Sequence, residues 1–243
     1  MNASNFLNPS SPSRPVRVVR RDAWVTYTML GVTIVIYLAQ LLTQNLFGTD
    51  IPAALGAKVN ALIAQGQFWR LLTPVWLHGG ILHIGFNMYA LYIIGPGLER
   101  NFGHGRFLLL YLLTGFAGNV LSYLFTAAPS YGASTAIFGL IAAEVVYLLR
   151  NKGVLQGNVQ GVITNRVMIL AVNLMLGFSS SGVDNFGHLG GMLGGLIFGW
   201  LAGPLYDASD FGYQIKDKHS ATEIALVSLL IVAGFGALAF FKG

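Results

Sequence analysis

The sequence contains no cysteine and very little charge. Of 243 residues only 9% are Asp, Glu, Lys or Arg, against 54% hydrophobic. Without cysteine there is no disulfide, no thiolate metal site and no cysteine nucleophile. Soluble domains carry about 25% charged residues, so this chain lacks the means to coat a water-facing surface. A soluble globular enzyme and a disordered protein are both excluded. The charges that exist are lopsided, with a net charge of +5. In a chain this apolar, that excess is predicted to reflect cytoplasmic loops rather than nucleic-acid binding. No internal repeat and no separate soluble domain is visible.

Residues 1–21 hold Pro9, Pro12 and Pro15 with four arginines and four serines. Proline removes helix hydrogen bonds, so a flexible cytoplasmic tail is expected there. Beyond it, runs almost free of charge predict seven membrane spans at 24–44, 81–98, 107–127, 134–149, 167–182, 186–203 and 222–241. Apolar runs near the ~20 residues that cross a bilayer belong in lipid. The fold class is therefore all-α, a polytopic membrane helix bundle. The loop 45–80, with Phe68, Trp69, Leu72, Trp76 and Leu77, predicts helices lying in the interface.

Lys and Arg set the orientation. With the N-terminus in the cytoplasm, the inside segments hold Arg14, Arg17, Arg20, Arg21, Arg100, Arg106, Arg150, Lys152, Arg166, Lys216 and Lys218. The outside holds only Lys58, Arg70 and Lys242.

Polar groups inside an apolar span are costly, and so point to function. His83, Ser134 and His188 fall on three spans that run in the same direction. His83 is 16 residues before Glu99, Ser134 is 16 before Arg150, and His188 is 15 before Gly203. At 1.5 Å per residue all three lie ~22–24 Å above the inner boundary. A lone serine in such a helix usually bonds its own backbone or a neighbour. Three polar groups at one depth point to chemistry instead.

Ser134 opens its span in Gly132-Ala133-Ser134-Thr135. Gly132 permits a tight turn. A helix N-terminus supplies free N–H groups for an oxyanion, although a plain capping serine has the same signature. His188 sits on a stripe with Gly191, Gly195, Gly199 and Gly203. That small face lets helices approach closely and would bring the imidazole to the serine as its base. His83 and Asn87, one turn apart, fit two donors to one oxyanion. No carboxylate is level with His188. Glu144 lies ~15 Å deeper, and Asp184 at the outer edge suits the helix dipole. A Ser134–His188 dyad is expected, with Asn185 as a candidate hydrogen-bonding helper. The sequence offers no metal-ligand set.

Together these residues resemble the rhomboid family of intramembrane serine proteases. The resemblance covers about residues 67–203. It rests on Trp69-Arg70, on His78 with His83 and Asn87, and on Gly97-Leu98-Glu99-Arg100. It also rests on Gly132-Ala133-Ser134 and on Gly187-His188-Leu189-Gly190-Gly191. It implies Ser134 as nucleophile, His188 as base, and His83, Asn87 and the Ser134 N–H as oxyanion stabilisers. Phe138 is implied to lie beside His188, with Gly132 in support. It further implies a six-span rhomboid-like domain over 22–204, with 205–243 adding a loop and a seventh transmembrane helix. The implied substrates are single-span or other membrane proteins in the lipid bilayer, with no cofactor and no nucleic acid. The expected home is a bacterial plasma membrane. Thr135 departs from the glycine common there. A β-branched side chain is bulkier and stiffer and can narrow the oxyanion site. The alternative to proteolysis is a non-catalytic rhomboid-like factor that binds membrane clients.

Overall fold

The computed structural model describes residues 22–155, 157–180, 182–206 and 217–242. The tail expected at 1–21 and part of the loop before the last span lie outside the described residues. Among those described, nine α-helices form and no strand does. They are α1 (Trp24–Phe47), α2 (Ile51–Gly56), α3 (Asn60–Ala64), α4 (Ile81–Phe102) and α5 (His104–Phe125), then α6 (Ser134–Asn151), α7 (Val159–Phe178), α8 (Asn185–Leu201) and α9 (Ala221–Lys242). Six of them, α1, α4, α5, α6, α7 and α9, are long and apolar enough to cross a membrane. Of the helices at the seven predicted spans, the exception is α8. Its 17 residues reach about 26 Å at 1.5 Å per residue, short of a ~30 Å hydrocarbon core.

The core is a triangle of α5, α6 and α8, each packed on the other two. Glycines set the spacing. A β-carbon at Gly191 would sit 2.0 Å from the Thr135 carbonyl oxygen, and one at Gly195 would sit 2.1 Å from that of Gly139. At Gly199 the obstacle is the Ala143 Cα, at 3.0 Å. Glycines every four residues on α8 thus face residues every four on α6, and the two backbones touch. Gly190 and Gly194 turn a second small face onto Ala117 of α5.

The outer helices are fastened by polar groups. Glu99, fully buried at the end of α4, accepts from the Val25 and Thr26 N–H groups at 3.0 and 2.7 Å, and so caps α1, which has no cap of its own. At one end of α9, Asp217 pairs with Arg106 at 2.5 Å. At the other, Lys242 donates to the Tyr123 and Leu124 carbonyls. The two contacts hold α9 parallel to α5.

The fifth span begins two turns earlier than the expected 167. Arg166 was predicted to mark its boundary. Instead Arg166 lies inside α7 and pairs with Glu144 of α6, Nε to Oε2 at 2.6 Å. An ion pair lets both charges enter the bundle, and no count of charge-free residues reveals it.

The loop 45–80 folds into α2, α3 and two 3₁₀ turns, Phe68–Leu71 and Thr73–Trp76. Arg70, buried, ties it together by donating to the Ala57 and Ala54 carbonyls and to Gln67.

Candidate active site

Ser134 is the first residue of α6, and Ala133 occupies the cap position. The Ser134 hydroxyl therefore does not cap its helix. It faces α8 instead, where His188 Nε2 lies 2.9 Å from Ser134 Oγ. The glycine contacts of α8 with α6 deliver this distance, because His188 precedes Gly191 on the face that touches Thr135 and Gly139. Phe138, one turn below Ser134, stacks on the His188 ring with centroids 4.2 Å apart and planes within 4°. The imidazole is thus held flat against an aromatic face.

The far nitrogen of His188, Nδ1, is buried without a hydrogen-bond partner among the described residues. Asn185 does not supply one. Its side chain is turned to α7, where a β-carbon at Gly177 would collide with Asn185 Oδ1. Two groups, not three, therefore meet. An imidazole nitrogen at this distance can take the hydroxyl proton and return it to a leaving group.

His83 approaches from α4. A β-carbon on Gly132 would sit 2.7 Å from His83 Nε2 and 3.7 Å from Ser134 Oγ. Gly132 has φ +143°, open to glycine and rare for other residues. This glycine lets the chain turn into α6 with the His83 ring against its backbone. Asn87 leans back up its helix and donates to the His83 carbonyl at 3.0 Å. The N-terminus of α6 has no side-chain cap, so its first N–H groups remain for an anion. Uncapped N–H groups, the His83 ring and the dyad share one small region.

Three further residues shape the site. His78 is buried with its ring 5.0 Å from that of His83 and its Nε2 3.5 Å from the Ala133 N–H. Gln40 of α1 holds its backbone at both polar groups. Burial, with His83 adding to the effect, pushes the His78 imidazole down to about 4, so the ring is neutral near pH 7. Its position five residues before His83 was the available signal. Thr135 turns away from the oxyanion region. It fills a slot between α5 and α8, where β-carbons at Gly118 and Gly187 would meet Thr135 Cβ at 2.7 Å and Thr135 Cγ2 at 3.0 Å. Two glycines thus make the room that the bulkier residue needs. Asp184 does cap α8, accepting from Gly187 N at 3.0 Å. It also accepts from Ser122 and Thr126, partners that local sequence could not indicate.

Comparison with known proteins gives a rhomboid domain matched over residues 65–205. The rhomboid protease GluP of Bacillus subtilis (strain 168) is 39% identical over 206 residues, 85% of this chain and 39% of that protein. RHOMBOID-like protein 7 of Arabidopsis thaliana is 38% identical over 202 residues, 75% of this chain and 62% of that one. RHOMBOID-like protein 1 of the same plant is 38% identical over 193 residues, 74% of this chain and 49% of that one. The chain thus spans between 39% and 62% of the length of these relatives. The matched domain includes His83, Asn87, Gly132, Ser134 and His188, and the chain belongs to the rhomboid family.

Proposed function

We propose that this chain is an intramembrane serine endopeptidase that cleaves transmembrane segments of other membrane proteins. The observation that carries the reading is the 2.9 Å separation of Ser134 Oγ and His188 Nε2 across two helices, beside a free helix N-terminus.

In this mechanism Ser134 Oγ attacks the carbonyl carbon of the scissile peptide while His188 Nε2 takes its proton. The negative charge that develops on the carbonyl oxygen is met by the Ser134 N–H, the His83 ring and the Asn87 amide. For Asn87 this means redirecting one N–H, since the other bonds the His83 carbonyl. His188 then protonates the leaving amine, the C–N bond breaks, and an ester on Ser134 remains. Water, activated by the same imidazole, hydrolyses the ester. Phe138 and the tightly packed α8 keep the imidazole in place, so a dyad without an orienting carboxylate can work.

A substrate helix hides its carbonyl carbons, so it must unwind locally before attack. Small or helix-breaking residues near the cleaved bond are therefore favoured. The excess of Lys and Arg on one side supports an N-terminus in the cytoplasm, which opens the site toward the outer face. We assign the chain to a bacterial plasma membrane, with residues 22–204 as the catalytic unit and 205–243 adding a loop and α9.

A serine-reactive fluorophosphonate tests the nucleophile. It is expected to label wild type and to leave Ser134→Ala unlabelled. Equal labelling of both overturns the assignment, and labelling of neither favours a client-binding factor.

A further inference from the structure

At one edge of the bundle, a single carboxylate joins the end of α5 to the start of α8. Asp184 Oδ1 accepts from Gly187 N and from Thr126 Oγ1, both at 3.0 Å. Asp184 Oδ2 accepts from Ser122 Oγ. The Asp184 carbonyl accepts from His188 N at 3.1 Å. Ser122 Oγ is also 3.1 Å from Ser130 Oγ, and Ser130 exchanges backbone bonds with Lys58 at 3.0 and 3.1 Å. Lys58, fully buried, donates to the Thr126 and Ala128 carbonyls at 2.8 and 2.7 Å.

The carboxylate therefore reaches in two directions. One leads into the first turn of α8, which carries His188. The other leads through Ser122, Thr126 and Ser130 into the stretch that ends in Gly132, Ala133 and Ser134. Glycine contacts bring α6 and α8 close sideways, but small residues alone fix no register along the helix axis. Directional bonds do. Asp184 does not touch the His188 ring, whose Nδ1 has no hydrogen-bond partner among the described residues, so it is not a third catalytic member.

We propose that Asp184 is a positioning residue, whose carboxylate locks the helix of the base to the loop of the nucleophile. The roles of base and nucleophile rest on the functional reading above. The coupling of the two segments does not.

The full chain in detergent or proteoliposomes tests this with three variants: Asp184→Ala, Asp184→Asn and the double variant Ser122→Ala/Thr126→Val. Cleavage of a single-span substrate gives kcat and KM separately. Amide hydrogen exchange is read over 127–134 and 185–190. Asp184→Ala is expected to lower kcat at least tenfold, to leave KM within threefold, and to raise exchange in both segments. Asn keeps one oxygen for Gly187 and Thr126 and has an N–H to offer Ser122, so Asp184→Asn is expected to restore at least half of the lost kcat. The double variant leaves the helix cap intact, yet should lower kcat and raise exchange over 127–134. Exchange that rises only over 185–190 in Asp184→Ala, or a double variant that behaves as wild type, overturns the proposal and leaves Asp184 as a helix cap. Exchange is also read in a Ser134→Ala background. An absence of wild-type cleavage then counts against the functional reading, while the exchange result still decides the coupling.

Discussion

Gly132 and His83 leave no room for a β-carbon between them: one built on Gly132 would lie 2.7 Å from His83 Nε2, at a backbone φ of +143°. Gly132→Ala must therefore displace the His83 ring or the turn itself. Backbone strain of this kind costs about 1–3 kcal/mol, and loss of one oxyanion donor costs ~10²–10³ in rate. The expected outcome is a folded protein with cleavage reduced about a hundredfold in a purified assay. Activity near wild type would remove His83 from the proposed oxyanion site.

Thr135 carries a buried hydroxyl with no hydrogen-bond partner among the described residues, in a slot shaped by Gly118 and Gly187. An unpaired buried polar group costs about 1–3 kcal/mol. Thr135→Val keeps the branched shape without that cost and should raise the unfolding temperature in detergent. Thr135→Gly empties the slot and loosens the helix, costs about 1–3 kcal/mol of stability, and should lower the unfolding temperature. The reverse order would show that the hydroxyl, not the shape, matters.

A β-carbon at Gly191 or Gly195 would enter the carbonyl oxygens of Thr135 and Gly139, whereas one at Gly236 on α9 meets nothing within 4 Å. Gly191→Ala should push α8 off α6, cost about 1–3 kcal/mol and slow fluorophosphonate labelling of Ser134 at least tenfold. Gly236→Ala should be neutral or stabilise by up to ~1 kcal/mol. Equal labelling rates in both variants would disconnect the helix contact from the dyad.

His78 carries a sign for acid stability. Its imidazole is pushed down to about 4 by burial and by His83 beside it, against about 6.5 in an unfolded chain. Below pH 6.5 the unfolded chain takes up the proton first, so stability falls as pH drops from about 6.5 to about 4. The loss is complete near the lower value and is worth about 3 kcal/mol. His78→Gln should flatten the dependence of unfolding temperature on pH across that window. Parallel curves for the variant and wild type would contradict the neutral, buried ring.

Much of this arrangement is legible in the sequence because membrane helices are written in long apolar runs, and because depth can be counted from charged ends. Ser134, His188 and His83 were readable for that reason, and the stripe from Gly191 to Gly203 gave the helix contact that joins two of them. What escaped was set by partners distant in sequence. Arg166 looked like a span boundary until Glu144, 22 residues earlier, proved to be its partner. Asp184 looked like a dipole ornament, because Ser122 and Thr126 lie 62 and 58 residues away. Asn185 shares a helix with His188, but the rotation of α8 turns it to Gly177. Thr135 read as an intrusion on the site, since nothing local reveals that Gly118 and Gly187 face it.

In the proposed reaction Ser134 attacks a peptide bond with His188 as its base. Purified wild type, Ser134→Ala and His188→Ala, each reconstituted with a single-span substrate carrying a small-residue segment, test it most directly when the products are sized and sequenced. The account predicts one defined cut in or beside the membrane segment by wild type, and no cut by either variant. Cleavage at the same bond by Ser134→Ala would contradict it.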